Sequence, residues 1–186
     1  MYLSWQNGLV EQEHKRELWA EHCEIVGQKS TSLNLDSREY PAWWSMKIEV
    51  PGPEDIDKLR CVFNECRRTT AGIPSQNLTM CEFEEEIEGE RVSLIRVDAE
   101  VIAFISIWEP DKFIHHLFVT PKHQRRGLGQ RLIMDAEKRY GRPLYLKCGV
   151  DNTRARDFYD RTGWLAQSTE SGPNGPYINY KLPAVA

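Results

Sequence analysis

From Met46 onward, apolar and polar positions alternate in runs of strand and helix length. Met46 to Val50 is a short β-rich run closed by Pro51-Gly52-Pro53, after which Ile56, Leu59, Val62, Phe63 and Cys66 recur at helical spacing. Pro53, the first-turn acids Glu54, Asp55 and Asp57, and the closing Arg67 and Arg68 suit the two ends of a helix dipole. Thr69 to Gln76 reads as a loop holding Gly72 and Pro74, and a weaker helix or acidic bend runs to about Glu86. Arg91 to Val97 and Val101 to Trp108 are β-rich and joined by Asp98-Ala99-Glu100, the pattern of a hairpin. Phe113 to Val119 is the next strand.

The stretch Phe113 to Tyr140 reads as strand, loop and helix in that order. Thr120 to Arg126 is polar and basic and contains Pro121, and from Gly127 the positions Leu128, Leu132, Ile133, Ala136 and Tyr140 form one core-facing stripe. Gln130, Arg131, Lys138 and Arg139 fall mostly on its wet side. Gly141-Arg142-Pro143 closes the helix, and Leu144 to Gly149 follows as a short strand. A strand–helix–strand connection of this kind gives parallel neighbours, here expected to splay apart at the loop end. Asp151 or Asn152 caps a helix to about Arg161, with Ala155, Phe158 and Tyr159 on its inner side and Gly163 at its end. Trp164 to Thr169 and Tyr177 to Leu182 complete the pattern as strands around a loop rich in turn formers.

Residues 1–45 do not settle into a strand rhythm, although they hold four of the six tryptophans (Trp5, Trp19, Trp43, Trp44). Val10 to Val26 allows a helix and Lys29 to Tyr40 reads as polar linker. The chain thus divides into an extension, 1–45, partly helical or flexible, and a domain, 46–186. The extension reads as a dimerisation arm, a lid over a substrate cleft, or a docked leader with neither role, and a homodimer stays open with it.

With 186 residues and 40% hydrophobic content, the chain is long enough for one full core. A net charge of -4 argues against a general nucleic-acid binder, so the basic loop has a local purpose. The five cysteines Cys23, Cys61, Cys66, Cys81 and Cys148 contain no C-x-x-C pair and read as free thiols of a cytoplasmic protein rather than a disulfide frame or metal site. No apolar run has the roughly 18 residues that cross a bilayer. Glu82, Glu84, Glu85, Glu86, Glu88 and Glu90 form an acidic cluster, either a solvated face or an attraction for a cationic substrate.

The loop-to-helix junction carries the chemistry. Unpartnered N–H groups and the dipole favour an anion there, Gly127 and Gly129 allow close approach, and Lys122, Arg125 and Arg126 add charge, which together suit a diphosphate. A P-loop is excluded, since no Lys-Ser or Lys-Thr follows the glycines. A dinucleotide fingerprint would place Leu132 at its third small position, with Asp151 as the ribose ligand, and stays open. The stretch Gln124-Arg125-Arg126-Gly127-Leu128-Gly129 resembles motif A of the GNAT superfamily of N-acetyltransferases, [QR]-x-x-G-x-[GA], preceded by Leu117-Phe118-Val119-Thr120-Pro121 for its L-[YF]-V-x-P strand. Asn152 to Trp164 resembles the same family's motif B, N-x-x-A-x-x-[FL]-Y-x-x-x-G-[FW], at the expected distance downstream.

The resemblance implies an α/β fold with a mixed, mainly antiparallel sheet, splayed at its centre and flanked by helices. It also implies transfer of an acetyl group from acetyl-CoA, as co-substrate and without a metal, to a primary amine of a small molecule or peptide in a ternary complex. Nucleic acid and membrane are not expected partners. Under it, Leu117, Phe118 and Val119 meet the acyl and pantetheine portions, with the Leu117 N–H on the thioester oxygen. Gln124, Arg125, Arg126, Gly127, Leu128, Gly129 and Gln130 surround the diphosphate, Asn152 contacts the pantetheine arm or serves as helix cap, and Tyr159 protonates the leaving thiolate. Where many members carry a Glu base, this sequence has Phe113. His115, on the same strand face as Phe113, is the candidate base, since an imidazole with its ordinary pKa of ~6.5 suits proton removal at neutral pH. His116 is expected to point the other way, and Glu109 and Asp111 could act through water. The absent Glu keeps a second reading open, a non-catalytic acyl-CoA sensor. The acceptor itself is not encoded in any pattern along the chain.

Overall fold

A computed structural model describes residues 46–71 and 73–184. The extension, including the helix expected from Val10 to Val26, lies outside the described residues. Eleven elements follow: β1 (Ile48–Glu49), α1 (Ile56–Thr69), α2 (Met80–Glu86), β2 (Arg91–Val97), β3 (Glu100–Trp108), β4 (Phe113–Val119), α3 (Leu128–Tyr140), β5 (Leu144–Gly149), α4 (Thr153–Arg161), β6 (Leu165–Gly172) and β7 (Gly175–Leu182). The strands form one seven-stranded sheet in the order β1-β2-β3-β4-β5-β7-β6. Every pairing is antiparallel except β4 with β5, which α3 joins as a crossover. No helix among the described residues is long and apolar enough to cross a membrane.

Central position explains the composition of β3, where every residue from Val101 to Ile107 is buried. One sheet face packs Ile95, Ile105, Ile107, Ile114 and Leu146 against Leu128, Leu132 and Ile133 of α3 and Tyr159 of α4. The other packs Leu94, Val101 and Phe104 against Leu59, Val62, Phe63 and Cys66 of α1 and Phe83 of α2. The helix from Met80 is set by a capping box, in which the Glu82 amide donates to Thr79 Oγ1 and the Thr79 amide donates to Glu82 Oε2.

Asp55 does more than complement a dipole. It is buried, accepts from the Gly52 amide at 3.1 Å, and receives both Arg96 Nη1 and Nη2, at 3.1 and 2.9 Å. Those Arg96 bonds hold its carboxyl down at about 2, against an ordinary 3.8. A lowered folded-state value means that the contribution is complete above pH 3.8 and lost as pH falls through about 2. Asp55→Ala is expected to cost roughly 2–3 kcal/mol at neutral pH, short of a fully buried pair because the Arg96 side chain is 22% exposed. For a chain of this size that lowers Tm by roughly 5–10 °C in a thermal melt, and an unchanged Tm would remove the pair from the account.

Two irregularities of β4 shape the centre of the sheet. Ser106 pairs with His116 and the next β3 residue, Ile107, pairs with Ile114, so His115 is the extra residue of a β-bulge. On its other side β4 pairs with β5 only at Phe113–Tyr145 and Ile114–Leu146. Beyond Ile114 the strands part as expected, each still held on its outer side, β4 by β3 to Val119 and β5 by β7 to Gly149.

Candidate active site

The open edge of β4 faces this parting. The Thr120 amide donates to Ile102 O of β3 at 2.9 Å, and across a trans peptide the Val119 carbonyl must then point away from β3. Strand geometry extends the argument: Val119 and Leu117 turn their N–H and C=O groups to the open edge, and Phe118 turns its own toward β3. Phe118 is therefore the member of this expected trio that lies off the edge. Its ring joins Phe63 and Phe104 instead, at centroid distances of 5.4 and 5.8 Å. The Val119 carbonyl is already engaged by Gln124 Nε2 at 3.0 Å and Cys66 Sγ at 3.3 Å. Its N–H and the main chain of Leu117 form the rest of the edge.

Gln124 braces the loop as well as the strand, because its Oε1 accepts from Arg154 Nη1 of α4 at 2.6 Å. The two motif stretches are thus tied by a side chain from each. Beyond it Arg125 and Gly127 both take positive φ, 62° and 78°, and the chain turns directly into α3. The Arg131 amide is bonded to Gly127 O, while the amides of Leu128, Gly129 and Gln130 belong to the first turn, which has no carbonyl partners within the helix. A Cβ at Gly129 would meet only Phe158 Cζ, at an ordinary 3.7 Å, so packing alone does not demand glycine there. Space above that turn, the first-turn amides and the exposed Arg125 and Arg126 together suit a diphosphate.

Gln130 and Arg131 depart from the wet side assigned by the stripe. Gln130 is 5% exposed with Oε1 unpartnered among the described residues, and Arg131 is half-buried and donates from Nη2 to Met46 O at 2.6 Å. The Met46 carbonyl thus meets α3 at Arg131, and burial lowers the Arg131 pKa. Periodicity within a helix cannot show what a distant segment covers.

Across the parting stands α4. Asn152 Oδ1 accepts from the Ala155 amide at 3.2 Å, so its helix-cap role is present in the structure. Tyr159 is 8% exposed, its ring among those of Phe158, Trp164 and Tyr180 at 5.4 to 5.6 Å. Burial pushes its phenol well above the ordinary tyrosine value, which keeps it protonated at neutral pH. Burial likewise pushes the thiol of Cys148, on β5, up to about 11, so it is no nucleophile there.

The bulge changes the expected arrangement of the histidines. Simple alternation sends His115 and His116 to opposite faces, but with an extra residue inserted their rings lie 6.3 Å apart on the α1–α2 face. His115 keeps its expected neighbour, Phe113, at 4.8 Å between ring centroids. Its Nδ1 contacts Glu90 Oε1. His116 Nδ1 is bonded to Ser106 Oγ at 2.8 Å, its Nε2 lies 3.7 Å from Glu86 Oε1, and its ring stacks on Phe118. Glu109 is engaged by Arg91 at 2.9 Å. Glu90, Glu86 and Ser106 are site neighbours that no sequence motif marks; within the acidic cluster nothing local distinguishes the buried Glu90 side chain from the exposed acids before it.

The model of the Acetyltransferase (GNAT) family matches residues 56–164, which span β4, the motif A turn, α3, β5 and α4. The chain belongs to the GNAT family. A relative from Methanocaldococcus jannaschii, described as an uncharacterised N-acetyltransferase, is 34% identical over 91 residues, 47% of this chain and 40% of that protein. The matched stretch thus spans less than half of that relative. Among solved structures, a GCN5-related N-acetyltransferase from Rhodopseudomonas palustris superposes with a TM-score of 0.63 at 18% identity, covering 77% of this chain and 99% of its own. The PaiA N-acetyltransferase of Thermoplasma acidophilum, in complex with coenzyme A, gives 0.60 at 20% identity, covering 73% and 98%. At such identities the superpositions establish a shared GNAT fold.

Proposed function

We propose that the protein is an acetyl-CoA-dependent N-acetyltransferase that moves an acetyl group to a primary amine of a small molecule or peptide by direct transfer in a ternary complex. The observation that carries this reading is the parting of β4 from β5 after Ile114, with a tight, basic turn at the end of β4 and Tyr159 on α4 beyond it. Acetyl-CoA supplies the activated acyl group as a thioester. The turn from Gln124 to Gln130 holds its diphosphate, with Gln124 acting through its main chain because both ends of its side-chain amide are already bonded. Main-chain groups of Leu117 and Val119 pair with the pantetheine arm, the Leu117 N–H polarising the thioester oxygen. Asn152 caps α4 and borders the same arm. Tyr159 donates the proton that the departing thiolate takes up, and His115 removes a proton from the amine.

The amine approaches over the α1–α2 face, where His115 is exposed and Glu82, Glu84, Glu85 and Glu88 line the rim in exposed positions. That charge favours a cationic acceptor. The domain responsible is residues 46–186. The test is thiol release from acetyl-CoA against a panel of polyamines, aminoglycosides, amino acids and short peptides, with acetyl-CoA binding followed in parallel. Saturable release with one amine class is the expected result. Binding without release across the whole panel would favour the sensor reading instead.

A further inference from the structure

The two adjacent histidines of β4 differ in what their ring nitrogens can do. His116 has Nδ1 bonded to Ser106 and Nε2 facing Glu86, and its side chain is only 11% exposed. His115 is 44% exposed and has a single polar partner on the described residues, Glu90 at Nδ1, so its Nε2 faces the acceptor side unengaged. Glu90 is unusual among the acids around it. Its side chain is 3% exposed, and its second oxygen, Oε2, is buried without a hydrogen-bond partner among the described residues. A carboxylate withdrawn from water is costly unless a donor or positive charge meets it, and the Nδ1–H of His115 is the donor at hand.

Deepening the transferase reading and resting on it, we infer that Glu90 is a positioning residue that holds His115 as its Nδ1–H tautomer and aims Nε2 at the acceptor amine. His115 keeps the face of Phe113, where Glu90, just before β2, meets its Nδ1, and the bulge brings His116 onto that same face. In the step concerned, an N–H bond of the acceptor ammonium breaks and an Nε2–H bond forms. The freed nitrogen lone pair attacks the thioester carbon, the C–S bond breaks as the thiolate takes the Tyr159 proton, and a second N–H proton leaves the nitrogen to solvent water, giving the neutral amide. The imidazolium left on His115 is balanced by Glu90 until its proton passes through water to the tyrosinate, restoring both groups. Among the described residues, the other charged or titratable groups around this imidazole are Glu86 of α2, His116 on its own strand, and Lys147 of β5, whose Nζ lies 5.8 Å from the Phe113 ring centroid.

Two readouts on the full chain test the inference. Long-range ¹H–¹⁵N correlation of the imidazole is expected to show His115 protonated at Nδ1 and bare at Nε2 in the wild type, and to lose that pattern in Glu90→Gln. With the panel amine that gives the fastest thiol release, Glu90→Gln is expected to lower kcat about 100-fold with the KM for acetyl-CoA unchanged. The double variant Glu90→Gln/His115→Gln should then be no slower than His115→Gln alone, because the two side chains act as one unit; a purely structural role would give additive losses. An Nε2–H tautomer in the wild type, or Glu90→Gln turnover within about two-fold of wild type, overturns the inference while leaving the transferase reading intact. If no panel amine supports release by the wild type, the transferase reading fails and this inference falls with it, whatever the tautomer.

Discussion

Tyr159→Phe is expected to lower turnover about 100- to 1,000-fold while acetyl-CoA affinity stays within about two-fold of wild type. The substitution removes one oxygen and leaves the ring that packs among Phe158, Trp164 and Tyr180. Burial holds the phenol protonated, so the wild type enters each cycle with a proton to give and Phe does not. Steady-state release of thiol and a binding titration on the same preparation separate the two effects. Equal turnover in the variant would remove Tyr159 from the proton path; a matching fall in affinity would assign it to binding instead.

Gly127→Val should produce the opposite division, with acetyl-CoA affinity falling about 100-fold or more. At φ 78° the residue sits where a β-branched side chain is strained, and it also forms the turn that presents the first amides of α3 at the proposed diphosphate site. Relief of that strain moves the amides. A stability loss of ~1–3 kcal/mol accompanies the change, since a left-handed non-glycine residue carries a cost of that order. Gly127→Ala keeps the strain in milder form with less bulk, so titrations and melts of both variants distinguish a moved turn from a weakened fold. Unchanged affinity in Gly127→Val would place the diphosphate elsewhere.

Much of this arrangement could be read along the chain because each signal was local. The strand–loop–helix order from Phe113 to Tyr140, the parallel partner Leu144–Gly149 and the cap at Asn152 follow from periodicity, crossover handedness and a short polar side chain at a helix start. The stretch before Glu86, open in the sequence between a weaker helix and an acidic bend, is a helix because Thr79 and Glu82 form a capping box at its start.

What escaped was set by contacts between distant segments. The bulge at His115 is a matter of how β3 and β4 register, and one extra residue overturned the alternation that placed His116 on the far face. Asp55 looked like one of three acids in a first turn, yet Arg96, a neighbour only across the fold, made it a buried anchor. Gln130 and Arg131 looked wet by periodicity, yet Gln130 is buried and Arg131 donates to the Met46 carbonyl. Glu90 belongs to the same class: in sequence it is the last of six acids, and only its burial beside His115 separates it from the others.

The central claim is that the acetyl group passes directly from the thioester to an amine while both are held on this chain. Acetyl-labelled acetyl-CoA, mixed in single turnover with excess protein and the amine selected from the panel, follows the group itself. The expected result is label passing from acetyl-CoA to the amine at the rate of thiol release, with none retained on the protein after denaturation. Label trapped on the protein, or recovered only as acetate whatever amine is present, would contradict direct transfer.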